Sequence, residues 1–172
     1  MRSESVIAIS AGVIALASLF VSIWSARVTR KHNRLSVAPH LRVDYFDRLK
    51  EGVEVVLKNN GLGTAIIRRF AVRLDGIPVP TSNSSSVGEA LMSTGVVDKV
   101  YAFVPTVDDA LSAGEQILLF SFLPENHQSK KIQPSLARIT FNIDYESMYG
   151  DSFRLNRNAT GTAPNKSFQP DS

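Results

Sequence analysis

Two different periods of hydrophobic and polar positions divide the chain near its first quarter. Residues Ser5 to Ala26, SVIAISAGVIALASLFVSIWSA, carry no charged side chain. Wound as a helix they would run about 33 Å, enough for a hydrocarbon core of about 30 Å. Only scattered serines interrupt the apolar surface, so the segment lacks the polar face of a helix on a soluble core. The pattern predicts a transmembrane helix over residues 5–26. From Leu41 onward the period falls to two. In HLRVDYF, Leu41, Val43 and Tyr45 share one side. In LARITFNIDYES, Ile139, Phe141, Ile143 and Tyr145 face one way, and Arg138, Thr140, Asn142 and Asp144 the other. Such alternation predicts strands with one buried and one wet face.

Further runs read the same way. VEVVLKN is a strand, TAIIRRFAVRLDG another, and VVDKVYAFV a third. EQILLFSFL is apolar on both faces and predicted to be central. RLKEG, DGIPVP, PENHQSKK and MYGD read as turns, and SFRL as a last strand. In TSNSSSVGEALMSTG, Ser86 and Glu89 have capping-box spacing, which predicts a helical turn. PTVDDALSAGE reads as a loop with room for one more, where Asp108 and Asp109 would favour the helix dipole. LSVAPH is read as a short extended linker, because Pro39 keeps its neighbour from helical angles.

The resulting divisions are a helix at 5–26, a basic juxtamembrane segment and linker at 27–40, a β-domain at 41–156 and a disordered tail at 157–172. About seven or eight short strands without a long amphipathic helix predict an all-β fold, an antiparallel β-sandwich, with a small barrel as the alternative.

The stretch VEVVLKNNGLGTAIIRRF tests one class of chemistry. Gly61 and Gly63 supply two glycines of a dinucleotide loop, but Ile66 occupies the third position and a strand pattern follows. No lysine and hydroxyl follow as a phosphate loop requires. Asn59, Asn60, Gly61 and Gly63 instead read as a hairpin-like turn of residues that tolerate positive φ.

Charge sharpens the membrane reading. Of 19 basic residues, Arg2, Arg27, Arg30, Lys31, Arg34 and Arg42 come first, and the 13 after position 42 face 15 of the 16 acidic ones. The globular part is therefore slightly acidic, which argues against nucleic acid as a partner. Arg27, Arg30, Lys31 and Arg34 follow the apolar run directly, and Trp24 suits an interface. The basic flank predicts an inner (plasma) membrane protein with its N-terminus outside and its main domain in the cytoplasm. A cleaved signal peptide fits less well, since Arg2 and Glu4 cancel and Trp24 stands where a small residue is needed for cleavage after Ala26. Ala8 and Gly12, Ala11 and Ala15, and Ser18 and Ser22 have a spacing that lets helices approach, so a homo-oligomer through Ala8 and Gly12 is one expectation.

VVLKNNGLGTAII and IDYESMYGDSF, with the helix, basic flank and proline, resemble a broad group of small bacterial single-pass membrane proteins. These carry an N-terminal helix and a C-terminal β-sandwich (immunoglobulin-like) domain. The resemblance covers most of residues 5–155 and implies fold and location but no activity. The chain lacks a Cys–Trp–Cys pattern, so the likeness is architectural.

Candidate chemistry is sparse. The chain has no cysteine, which removes disulfides and thiolate sites. His32, His40 and His127 have no metal-motif spacing. The reading contains no catalytic residue, no metal and no cofactor. Asp144 and Glu146 share a strand face, the basis of an alternative enzyme reading. Asn83, Asn158 and Asn165 open glycosylation triplets. Arg69 and Arg73 share one wet strand face and are the candidate partner-binding residues, while Arg68 falls on the inward side. The expectation is a non-enzymatic, membrane-anchored interaction module with the lipid bilayer and a protein as partners. An exported cell-envelope binding protein is the other reading.

Overall fold

The computed structural model describes residues 3–48, 52–94, 99–123 and 129–163. It divides into two compact units, Met1–Val37 and Ala38–Ser172. The first is one helix, α1, Ser3–Ser36. Its stretch Val6–Arg34 is long and apolar enough to cross a membrane, by length and composition, and buries nothing within the protein. The helix does not end at Ala26. VTRKHNR contains neither glycine nor proline, its Arg and Lys are good helix formers, and Arg34 in the last turn complements the dipole. The expected linker shrinks to the residues beside Pro39.

The second unit contains β1 (Leu41–Arg48), β2 (Gly52–Asn59), β3 (Ala65–Leu74), β4 (Ile77–Val79), α2 (Ser84–Met92), β5 (Val100–Ala102), β6 (Ala110–Leu111), β7 (Gln116–Phe122), α3 (Ser129–Ala137), β8 (Ile139–Ser147) and β9 (Ser152–Asn158). They form two antiparallel sheets. One is four-stranded, in the order β1-β2-β7-β5; the other is five-stranded, in the order β4-β3-β8-β9, with β6 also on β3. β7, from EQILLFSFL, is central in its sheet, between β2 and β5, but its Leu118 side is open to solvent. In β8 the alternation holds along the whole strand, with Ile139, Phe141, Ile143 and Tyr145 buried. Phe141 lies 5.9 Å from Phe70 and 6.2 Å from Phe120, which belongs to the other sheet. Inner residues of both sheets join one hydrophobic cluster with Val87, Leu91, Ile132 and Leu136 from the helices.

The glycine-rich segment is not a hairpin. β2 and β3 lie in different sheets, so Asn60–Thr64 crosses between them. Neither Gly61 nor Gly63 has a positive φ. Gly61 is required by proximity, since a Cβ there would stand 2.3 Å from the His40 nitrogen and 2.5 Å from the Ala38 oxygen. Asn59 organises this end. It is fully buried; its Oδ1 accepts from the His40 and Gly61 amides, and its Nδ2 donates to the Gly63, Leu111 and Ser112 carbonyls. The two-residue hairpin lies elsewhere, at Asp75 (φ 51°) and Gly76 (φ 82°), where two positive φ values match strand twist.

Three local readings change. Asn83, not Ser86, caps the helix before ALM, because its side chain accepts from the Ser86 amide, and α2 runs nine residues. Asp108 and Asp109 start no helix: Asp108 has φ 72° and the chain enters β6. α3 follows the polar turn; Ile132 and Leu136, four apart, bury one face, while the basic start and Pro134 conceal it in the sequence.

Order extends past residue 156. Asn158 is 4% exposed, Ala159 is fully buried, and the Asn158 Oδ1 accepts from the Thr160 and Thr162 amides. The rest of the expected tail, 164–172, and the turn residues 49–51 and 124–128 lie outside the described residues.

Candidate interaction surface

The outer face of the five-stranded sheet begins with an irregularity in β3. Its register on β8 shifts between Ile67 and Arg69, leaving Arg68 as the extra residue. The shift explains the parity. Ala65 and Ile67 point inward before it and Val72 after it, while Arg68 turns out to solvent instead of inward.

Arg68 is an anchor. Its Nε donates to Glu146 Oε2 at 2.9 Å, and its Nη1 pairs with Asp108. The Asp108 amide donates to the Ile67 carbonyl, and the Ile67 amide donates to the Asp109 carbonyl, both at 2.8 Å. The chain entering β6 is thereby held on the bulge. The Glu146 hydrogen bond is the first cause that pushes the Arg68 guanidinium pKa up. Arg154 Nε donates to Asp144 Oδ1 at 2.6 Å, and these groups line a shallow charged hollow of about 380 Å³. Asp144 and Glu146 thus each face a separate guanidinium. At the far end of β3, the Arg138 fork reaches both oxygens of Asp75, with Nη2 to Oδ2 at 2.5 Å. The hydrogen bond from Arg138 holds the Asp75 carboxyl below its ordinary pKa, against a weaker opposing effect of desolvation.

Arg69 and Arg73 differ. Both lie on the outer face of β3, Arg69 exposed and Arg73 half-buried, with small Ala71 between them. Across the strand they neighbour Asp144 and Thr140, and Ala71 neighbours Asn142. Asp144 is engaged by Arg154. Among the described residues, Arg42, Arg48, Arg68, Arg138 and Arg154 form salt bridges, whereas Arg69 and Arg73 show none. Two unpaired forks about 13 Å apart on one strand can receive carboxylates or phosphates.

The sequence left a second surface unremarked. Tyr101 (84% exposed), Phe103 and Leu118 line an open apolar groove of about 610 Å³ at the β5–β7 edge. Only the apolar outer parity of VYAF and ILLF could have signalled it.

On α1, Trp24, Arg27, Arg30, Lys31 and Arg34 are all exposed, as are Ala8 and Gly12. The Ser18 and Ser22 hydroxyls donate to carbonyls within the helix, at Ile14 and Ser18. His32 lies on α1 and His40 before β1, while His127 is outside the described residues. Among the described residues no group of three or more His, Asp or Glu could hold a metal ion. Asn158 is buried and its Nδ2 donates to Thr162, whereas Asn83 is exposed and uses only its Oδ1 as a cap; Asn165 is outside the described residues.

Residues 5–160 match DUF8453, a domain of unknown function, and the chain belongs to this family. The match begins inside α1 and ends in the Asn158 turn, so helix and sheets are one family unit. No curated protein matches the chain.

Proposed function

We propose that this protein is a membrane-anchored, non-enzymatic interaction module. In this reading α1 is a single uncleaved span and the two sheets are the layers of a β-sandwich. The outer arginines of β3 bind an acidic segment of a protein partner. The observation that carries it is the contrast at β3: among the described residues Arg69 and Arg73 form no salt bridge, on a sheet face where Arg68 and Arg154 are paired. An unpaired guanidinium pair has high recognition value and little structural work.

A photo-crosslinking residue at Ala71 in the full chain, expressed in cells, tests this. A discrete adduct is expected from Ala71 and not from Lys58 on the other sheet, and it should vanish in Arg69→Glu/Arg73→Glu. Equal labelling from both positions, or an adduct indifferent to the arginines, overturns the reading.

The basic residues after the apolar run support a cytoplasmic domain with the N-terminus outside. Protease added to intact spheroplasts should leave the sheets uncut; cleavage would instead place them in the envelope. Ala8 and Gly12 offer a face for a second copy, and crosslinking there should exceed that at Val13 or Ile14, which lie off that face.

A further inference from the structure

The continuation of α1 through Ser36 changes what the basic residues are. Read as a linker, they are a scattered charge. On a helix advancing 100° per residue, Arg27, Arg30, Lys31 and Arg34 fall within an arc of about 100°. Trp24 lies on the flank of the same arc, less than one turn before Arg27. Thr29, His32 and Asn33 occupy the opposite side with no formal charge. All four cationic side chains are exposed. The stripe rises about 10 Å, from the end of the apolar run through the depth of a headgroup layer.

We propose that this one-sided stripe is a binding site for anionic lipid headgroups, selecting them over zwitterionic lipid beside the helix. The proposal rests on the reading of α1 as a membrane span. Four cations on one face attract phosphate-bearing headgroups of net negative charge, and a guanidinium can hold a phosphate through two parallel hydrogen bonds. A cationic sleeve of the same charge would spread the attraction around the helix. Concentrating it on one side gives a local site, and the neutral side stays open to other contacts.

Trp24 is the only tryptophan, so its fluorescence reports this face alone. The full chain is placed in phosphatidylcholine vesicles containing the same mole fraction of either brominated phosphatidylglycerol or brominated phosphatidylcholine. The anionic quencher should be at least about twofold more effective at 0.1 M salt, and the preference should collapse at 1 M, where screening shortens to about 3 Å. Arg27→Gln/Arg30→Gln/Lys31→Gln/Arg34→Gln should abolish it. A variant that keeps the charge but distributes it, Thr29→Arg/Arg30→Thr/Lys31→His/His32→Lys, should lose most of it.

Quenching by both lipids without preference overturns the headgroup site and leaves the span intact. Absence of quenching by either lipid overturns the span itself. An undiminished preference in the redistributed variant overturns the one-sided site in favour of net charge.

Discussion

The same residue types stand in opposite surroundings in the two units. In α1, Leu16 is 69% exposed and Phe20 72%. In the sheets, Phe141 is 1% exposed and touches aromatic rings from both sheets. The sheet unit supplies its own apolar solvent. The helix needs one from outside, and lipid is the solvent proposed for it. Apolar content alone therefore says little; the period decides. Period two with a wet face makes a core, and unbroken apolarity over more than twenty residues makes a surface that must be covered by something else.

The comparison breaks most readily at Phe141. Phe141→Ala should destabilise the sheets by about 3–5 kcal/mol, because removing the ring leaves a cavity in the shared core. Urea melts would show it, while the fraction of protein in carbonate-washed membranes should stay unchanged. Leu16→Arg should do the reverse. A central arginine costs about 2.5–3.5 kcal/mol on insertion scales, so membrane retention should fall while the melt of the sheets holds. If either substitution moved both readouts, the two units would not be independent.

Asn59→Ala comes next, at roughly 2 kcal/mol, because it strands buried amides and carbonyls at the loop crossing. Its cost is the clearest measure of what the sequence concealed. β8 was legible because every residue obeyed its period. The Asn59 crossing was not, because an Asn-Asn-Gly cluster has the same composition in a hairpin and in a passage between sheets. Only the partners of the flanking strands distinguish them, and these are contacts distant in sequence. Likewise Gly61 looked like a residue chosen for φ and proved to be one chosen for closeness to the His40 backbone. Arg69 and Arg73 were found from parity after the bulge, and Arg68 was misplaced because a one-residue insertion reverses parity without any mark in composition.

A smaller effect is expected at alkaline pH. Burial first, and then the carboxylate of Asp47, raise the Tyr45 phenol to about 12. In the unfolded chain it titrates near 10. Above pH 10 the unfolded form loses its proton first, so this contribution is intact below pH 10 and lost as pH rises through about 12. The side chain is only partly buried, so screening by solvent reduces the effect on stability. Urea midpoints measured from pH 9 to 11 should fall more for the natural protein than for Tyr45→Phe. Parallel curves would remove Tyr45 from the account.

The smallest expected effect is at Asp144, three residues from Phe141 and on the opposite face of β8. Its carboxylate is held by Arg154, an exposed guanidinium whose pair with it is screened by water and salt. Asp144→Asn keeps the shape and one acceptor oxygen, and β8 retains its ladders to β3 and β9. The melt should therefore match the natural protein within error. The substitution also frees Arg154, which lies across the strand from position 144 and adds a third open guanidinium to the face of Arg69 and Arg73. Under the acidic-partner reading, crosslinking at Ala71 should rise or hold while stability is constant. A loss of the adduct without loss of stability would mean that the Asp144 carboxylate itself touches the partner, and that the partner's chemistry is basic.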